Sequence, residues 1–256
     1  MNSIDEERQA IQGIIAENRL TAHFQPVFSG DGKVFGYEAL ARLLREDPLF
    51  PNIADLFAAA IRTGTISSLD VMCQENALRE ASAGLMNEKS TFLFMNICPE
   101  ALLSPTYRDG ITDEIEERWM VSRERIILEL TEETAIRNYP LFKDAVSRYR
   151  DKGYKIALDD FGIGYGGLKM LSIIRPDFVK IDRHFISDID RNFVNLAVVE
   201  SIALLCRRIG MKVIAEGIES AGQFTFANSL GIDLFQGYFM GRPAPASSVF
   251  QNGLTA

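Results

Sequence analysis

The chain has 256 residues, of which 47% are hydrophobic and 24% charged, with a formal net charge of −8. That length allows one large domain or two small ones, and the composition is that of a globular protein with a substantial core, which excludes disorder. The acidic balance excludes a protein that grips a nucleic-acid polymer through its own basic surface, so an anionic substrate would need positive charge from elsewhere.

In chain order, MNSIDEERQ at 1–9 is acidic and lacks an apolar centre, so it is not a signal peptide, and a short amphipathic helix is expected near 4–18. Strands are expected at 21–28 and 33–40. Only Ser-Gly-Asp-Gly at 29–32 separates them. Parallel strands need a crossover of a dozen or more residues, so these two should form an antiparallel hairpin with Asp31-Gly32 as the turn dipeptide. Helices follow at 53–63 and 67–83, then a strand at 91–97, a helix at 109–120 and a strand at 125–130. Next come a helix at 140–152, a strand at 154–159, a helix at 166–172 and a strand at 178–182. A helix at 193–209, a strand at 211–215, a helix at 219–230 and a strand at 232–236 complete the series. The best apolar stretch, NLAVVESIALLC at 195–206, is broken by Glu200 and reads as a buried helix, so no membrane span is expected. Eight strands alternating with helices indicate an α/β fold, a TIM-like barrel, with a doubly wound open sheet as the rival. No linker divides the chain; the expected organisation is an N-terminal helix over 1–20 packed on one barrel domain over 21–256.

Cys73, Cys98 and Cys206 are scattered and form no Cys-x-x-Cys, which indicates neither a disulfide framework nor a thiolate zinc site. His23 and His184 are too few for a histidine metal cluster. Chemistry, if present, must run on carboxylates and lysine.

The C-terminal ends of barrel strands carry the site in this architecture. Here those ends carry Glu38, Asn96, Glu129, the pair Asp159-Asp160, Lys180, Glu216 and Gln236 in succession. Any one of them alone is ordinarily a helix cap or a solvated rim residue. Together they would place several carboxylates at one barrel mouth, where they repel unless cations lie between them. Oxygen donors from Asp, Glu and Asn favour Mg²⁺ or Mn²⁺ over zinc or iron. Lys180 either balances charge among the acids or orients a water and stabilises a phosphoryl oxygen. Two metals about 3.5–4 Å apart are a standard arrangement for phosphodiester hydrolysis. The Gly-rich run after Asp160, FGIGYGGL, fits neither a P-loop nor a dinucleotide fingerprint and reads as a tightly turned rim loop.

The motifs FQPV (24–27), EALAR (38–42), MNICP (95–99), ELTEE (129–133), DDFGIGYGGL (159–168), VKID (179–182), IAEGIE (214–219) and QGYFMGRP (236–243) resemble, in order and spacing, the EAL-domain phosphodiesterases that hydrolyse cyclic di-GMP. The resemblance covers about Thr21 to Pro245. It implies a modified TIM barrel with its first two strands antiparallel, in agreement with the hairpin. It implies that Glu38, Asn96, Glu129, Asp159, Asp160 and Glu216 hold two Mg²⁺ or Mn²⁺ ions, with Asp159 bridging, and that Lys180 holds the attacking water. Gln25, Leu40, Arg42, Asp182 and Gln236 are the implied substrate contacts, and Glu132 the implied anchor of the loop after the fifth strand. The implied reaction opens cyclic di-GMP to linear pGpG. A cytoplasmic homodimer with fused or associated sensory domains is the expected setting, and a non-hydrolysing cyclic di-GMP receptor or protein-interaction module is the alternative. An unrelated barrel acting on a sugar phosphate would require the motif series to be coincidence. Ile163, Gly166 and Gly167 depart from the family's threonine and two serines, which removes hydroxyls available for turn and cap hydrogen bonds. The stretch EDPLFPNIADLFAAAIRTGTI at 46–66 is also looser than the family's wording.

Overall fold

The computed structural model describes residues 3–85, 90–104, 118–131, 138–164 and 166–250. The expected helix at 109–120 falls almost entirely outside these residues, as do Glu132 and Tyr165. Helix α1 (Ser3–Ala16) leads into strands β1 (Leu20–Ser29) and β2 (Val34–Leu43), followed by α2 (Ile53–Thr63), α3 (Ile66–Leu85), β3 (Phe92–Asn96) and α4 (Pro99–Leu102). Then come β4 (Ile126–Thr131), α5 (Tyr139–Asp151), β5 (Lys155–Phe161), α6 (Gly167–Ile174), β6 (Phe178–Ile181) and α7 (Arg183–Ile186). The chain continues through α8 (Phe193–Arg208), β7 (Lys212–Ala215), α9 (Ala221–Ser229), β8 (Leu234–Phe235), β9 (Ala244–Pro245) and α10 (Ala246–Val249).

Strands β2 to β8 pair in sequence order and in parallel, and β1 closes the ring by pairing antiparallel with both β2 and β8. The result is an eight-stranded mixed barrel with its first strand reversed, not an open sheet. The β1–β2 hairpin turns as expected, but through a three-residue loop. Gly32 N–H donates to Ser29 O at 2.9 Å and Gly32 takes the left-handed conformation at φ 81°, a conformation that glycine adopts without a Cβ clash.

Two apolar layers follow from the two faces of the strands. The outer faces, with Leu93, Leu128, Leu158, Val179 and Val213, pack under the helices. The inner faces contribute Val27, Phe94, Ile127, Ala157, Phe178, Ile214 and Leu234, which fill the barrel. The rings of Phe94 and Phe178 meet edge to face at 5.9 Å, and Phe35 stacks on Phe92 at 4.7 Å. Helix α1 buries Ile11 and Ile14 and packs on α2 and α3. At the other end of the chain, β9 adds to β1, and Phe250 packs on Phe24 and Tyr37. This last segment and the short helices α4 and α7 carry no periodic pattern long enough to be read from sequence.

Candidate metal centre at the barrel mouth

Along a strand, side chains two residues apart share a face. The barrel-filling residues Phe94, Ile127, Ala157, Phe178, Ile214 and Leu234 are therefore followed, two positions on, by Asn96, Glu129, Asp159, Lys180, Glu216 and Gln236 on the same inner face. Glu38 follows Gly36 in the same way and lies directly across from Gln25 in the β1–β2 pair. One apolar layer thus ends in one polar layer. The six strand-end residues other than the aspartate pair, singled out as a series, all come together with Asp159 at this mouth.

Lys180 is the centre of the cluster and is 1% exposed. Its Nζ lies 2.8 Å from Glu129 Oε1, 2.9 Å from Glu216 Oε1, 3.0 Å from Asp159 Oδ1 and 3.3 Å from Glu38 Oε2. Asn96 Nδ2 reaches Glu38 Oε1 at 3.5 Å and Glu129 Oε2 at 3.4 Å. Gln236 Nε2 donates to Glu38 Oε2 at 2.6 Å and to Gln25 Oε1 at 3.3 Å, while Gln25 Nε2 donates to Gly241 O at 3.0 Å.

Asp160 required a departure from regular strand geometry. Adjacent strand residues point to opposite faces, yet Asp159, Asp160 and Glu216 bring carboxylate oxygens within 4.8 Å of one another. The β5–β6 register breaks between Leu158 and Phe161, and Asp160 is left-handed at φ 53°. This bulge turns the second carboxylate toward the first. Asp160 N–H also donates to Asp159 Oδ1 at 3.0 Å, which holds the bend.

The electrostatics of the cluster are unbalanced. Burial, and then the nearby Glu38, push the Glu129 carboxyl well above the usual range. Burial also raises Asp159, and burial raises Glu216 strongly, in each case against the pull of Lys180. Burial opposes the charged form of Lys180, but Asp159, Glu129, Glu216 and Glu38 outweigh it and raise its pKa well above the ordinary value. Among the described residues, the carboxylates of Glu38, Glu129, Asp159, Asp160 and Glu216 gather around the one ammonium of Lys180, which leaves a deficit of positive charge. Glu38, Glu129 and Asp159 form one group with oxygens close enough to share a cation, and Asp159, Asp160 and Glu216 form another. Asp159 belongs to both. A hard divalent cation fits this all-oxygen donor set.

A cleft of about 260 Å³ opens over the cluster, lined in part by Gln25, Glu38, Leu40, Asp160, Asp182 and Gln236. Asp182 also caps α7, its Oδ1 accepting from His184 N–H at 2.8 Å. Arg42 lies apart from this cleft: its Nη1 donates to Ala41 O, and it lines a larger cavity of about 620 Å³ beneath α2 and α3. Leu40 lines both cavities. Arg183, Glu219 and Tyr238 also line the cleft without having been singled out. Each lies one to three residues after a motif residue, Asp182, Glu216 or Gln236, and that adjacency is the signal available in the sequence. At the loop after β5, Gly166 caps α6 with no side-chain hydrogen bond, as the loss of the serine hydroxyls implies. Among the described residues, no helix is long and apolar enough to cross a membrane.

The chain is similar over most of its length to several curated proteins. It is 32% identical over 243 residues to an uncharacterized signaling protein of Caulobacter vibrioides, covering 94% of this chain and 29% of that protein. It is 30% identical over 237 residues to the probable cyclic di-GMP phosphodiesterase PdeA of Escherichia coli, covering 92% and 32%. The chain therefore spans about a third of the length of these relatives. Among solved structures, the PaMucR phosphodiesterase in complex with c-di-GMP superposes with a TM-score of 0.84 at 27% identity, covering 95% of this chain and 99% of that one. The manganese/cy-diGMP complex of Klebsiella pneumoniae BlrP1 superposes with a TM-score of 0.78 at 27% identity, covering 89% and 57%. The family pattern described as EAL domain matches residues 8–243, and the chain belongs to the EAL domain family.

Proposed function

We propose that this domain hydrolyses cyclic di-GMP to linear pGpG, with two Mg²⁺ or Mn²⁺ ions held by Glu38, Asn96, Glu129, Asp159, Asp160 and Glu216. The observation that carries this reading is the pair of carboxylate groups that share Asp159 around a single buried lysine. Cations bound there would supply Lewis acidity to the phosphate and lower the pKa of a water from about 15.7 toward neutrality. The solved relatives named for cyclic di-GMP complexes support the substrate, and the manganese complex supports the metal class.

The chain's own residues have distinct parts. Lys180 would donate to the attacking water in place of one of its present carboxylate contacts, and its ammonium would offset charge that develops on the phosphate. Gln236 and Gln25 form a relay of amides that fixes Glu38: Gln236 donates to both, and Gln25 is tied back to Gly241. Gln236 Oε1 is buried and has no hydrogen-bond partner among the described residues. Asn96 presents Oδ1 to a cation after a half-turn of its amide, whose present contacts to Glu38 and Glu129 are long. Gln25, Leu40 and Asp182 contact the substrate from the cleft wall, and Arg42 contacts it from the adjoining cavity. The barrel over 21–256 acts as one catalytic domain with the helix over 1–20 packed on it, within a longer cytoplasmic signalling protein that works as a homodimer; the greater length of the curated relatives supports the attached domains. Glu132 is assigned the loop-anchoring part by its motif.

The test is chromatography of the nucleotide product with Mg²⁺ or Mn²⁺, with a chelator control. Linear pGpG is expected, and Glu38→Ala should reduce its rate at least about 1,000-fold, roughly 4 kcal/mol of transition-state stabilisation. Cyclic di-GMP bound tightly but recovered intact would instead establish a receptor.

A further inference from the structure

We infer that Asp70 and Gln74 of α3 are positioning residues for the metal centre, acting through the backbone on either side of Asn96. This rests on the reading of Asn96 as a metal ligand.

The backbone at the end of β3 is hydrogen-bonded differently on its two sides. On the β4 side the strand stays paired, with Asn96 level with Glu129 and Ile97 N–H donating to Glu129 O at 3.0 Å. On the β2 side pairing stops at Ala39–Met95, because β2 continues with β1 as the hairpin as far as Leu43. Alternate residues along a strand direct their backbone groups to opposite neighbours, so Asn96 and Cys98 face the side that β2 has left. Buried backbone groups without partners are costly.

Two side chains of α3 take the place of the missing strand. Gln74 Nε2 donates to Asn96 O at 3.3 Å, and Cys98 N–H donates to Asp70 Oδ1 at 3.3 Å. Gln74 Nε2 also donates to Asp70 Oδ2 at 2.8 Å, which joins the two contacts into one unit. Asp70 is 1% exposed and Gln74 2%, so the polar pair is buried one turn apart on a helix. Polar groups in such a place are ordinarily retained only with partners, and here the partners include the main chain that carries Asn96. The pair thereby fixes the strand end from which the Asn96 amide projects toward Glu38 and Glu129. Both residues line the 620 Å³ cavity, so a side chain of similar size can replace either without being forced into a packed core.

The experiment titrates metal-free protein with Mn²⁺ and follows the free-ion electron paramagnetic resonance signal, which needs no turnover. Gln74→Met keeps length and removes the donor. Asp70→Asn presents an amide N–H₂ to Gln74, which must then turn its own oxygen inward and release Asn96 O. Either variant is expected to weaken Mn²⁺ binding about tenfold, the scale of outer partners of metal ligands, while its unfolding midpoint in EDTA shows that it is folded. Combined with Asn96→Ala, Gln74→Met should add no further loss. If Asn96→Ala weakens Mn²⁺ binding but Gln74→Met and Asp70→Asn bind as the unaltered protein does, the positioning role is overturned. If Asn96→Ala itself binds Mn²⁺ normally, the ligand reading of Asn96 fails, and the inference with it.

Discussion

The inside of the barrel has two layers that differ by two positions along each strand and do opposite work. Phe94, Ile127, Phe178, Ile214 and Leu234 form a dry floor, stabilised by burial of apolar surface. Asn96, Glu129, Lys180, Glu216 and Gln236 form the ceiling, where the burial of Glu129 and Lys180, with that of Glu38 and Asp159 beside them, works against folding because charged groups lose water. The floor holds the strands at a fixed spacing so that the ceiling's like charges cannot move apart. Without cations, such a cluster of like charges is a local source of instability.

Substitutions in the two layers should differ in their response to metal. Phe94→Ala, which opens a cavity in the floor, should cost about 4 kcal/mol of folding stability by denaturant titration, with or without Mg²⁺. Lys180→Met removes the ammonium that contacts Glu38, Glu129, Asp159 and Glu216 and should cost about 3 kcal/mol in EDTA. Unlike the floor variant, it should be partly restored by Mn²⁺, which supplies the missing positive charge.

Metal removal sharpens the contrast further. At a concentration of Mg²⁺ about 100 times its dissociation constant, the folded state should gain about 2.7 kcal/mol over the protein in EDTA. The pH dependence in EDTA follows from the raised carboxyls of Glu129, Asp159 and Glu216. A carboxyl whose pKa is raised on folding favours the folded state below its unfolded pKa. That advantage is lost as pH rises through the folded value. Metal-free protein should therefore lose stability from the ordinary carboxylate range upward, and saturating Mg²⁺ should flatten the trend; thermal unfolding across pH reads both. The smallest expected effect lies outside both layers. Gly166→Ser supplies a side-chain cap to α6 and should add a few tenths of a kcal/mol. Its Cβ would meet Tyr139 Oη at 3.3 Å, so the tyrosine must shift slightly.

The strand-end residues were legible in the sequence because a strand repeats every two residues and a barrel presents all its C-terminal ends at one mouth. Once the strands were located, Glu38, Asn96, Glu129, Lys180, Glu216 and Gln236 had to converge. The hairpin was equally legible, since four residues cannot carry a crossover. Arg42 was less so. It extends the strand-end pattern past Leu40, yet it lies beside the cavity under α2, because β2 runs on to Leu43 alongside β1.

The order of the elements and the face on which each polar residue stands are local and periodic, and so they are written in the amino-acid sequence. How Asp160 joins Asp159 depends on packing between strands, because a bulge is set by the register of β5 against β6 and has no period of its own. The same holds for α3, which substitutes for β2 beside Asn96. Asp70 and Gln74 stand more than twenty residues before that strand end, and their contact with it exists only once the hairpin has drawn β2 away.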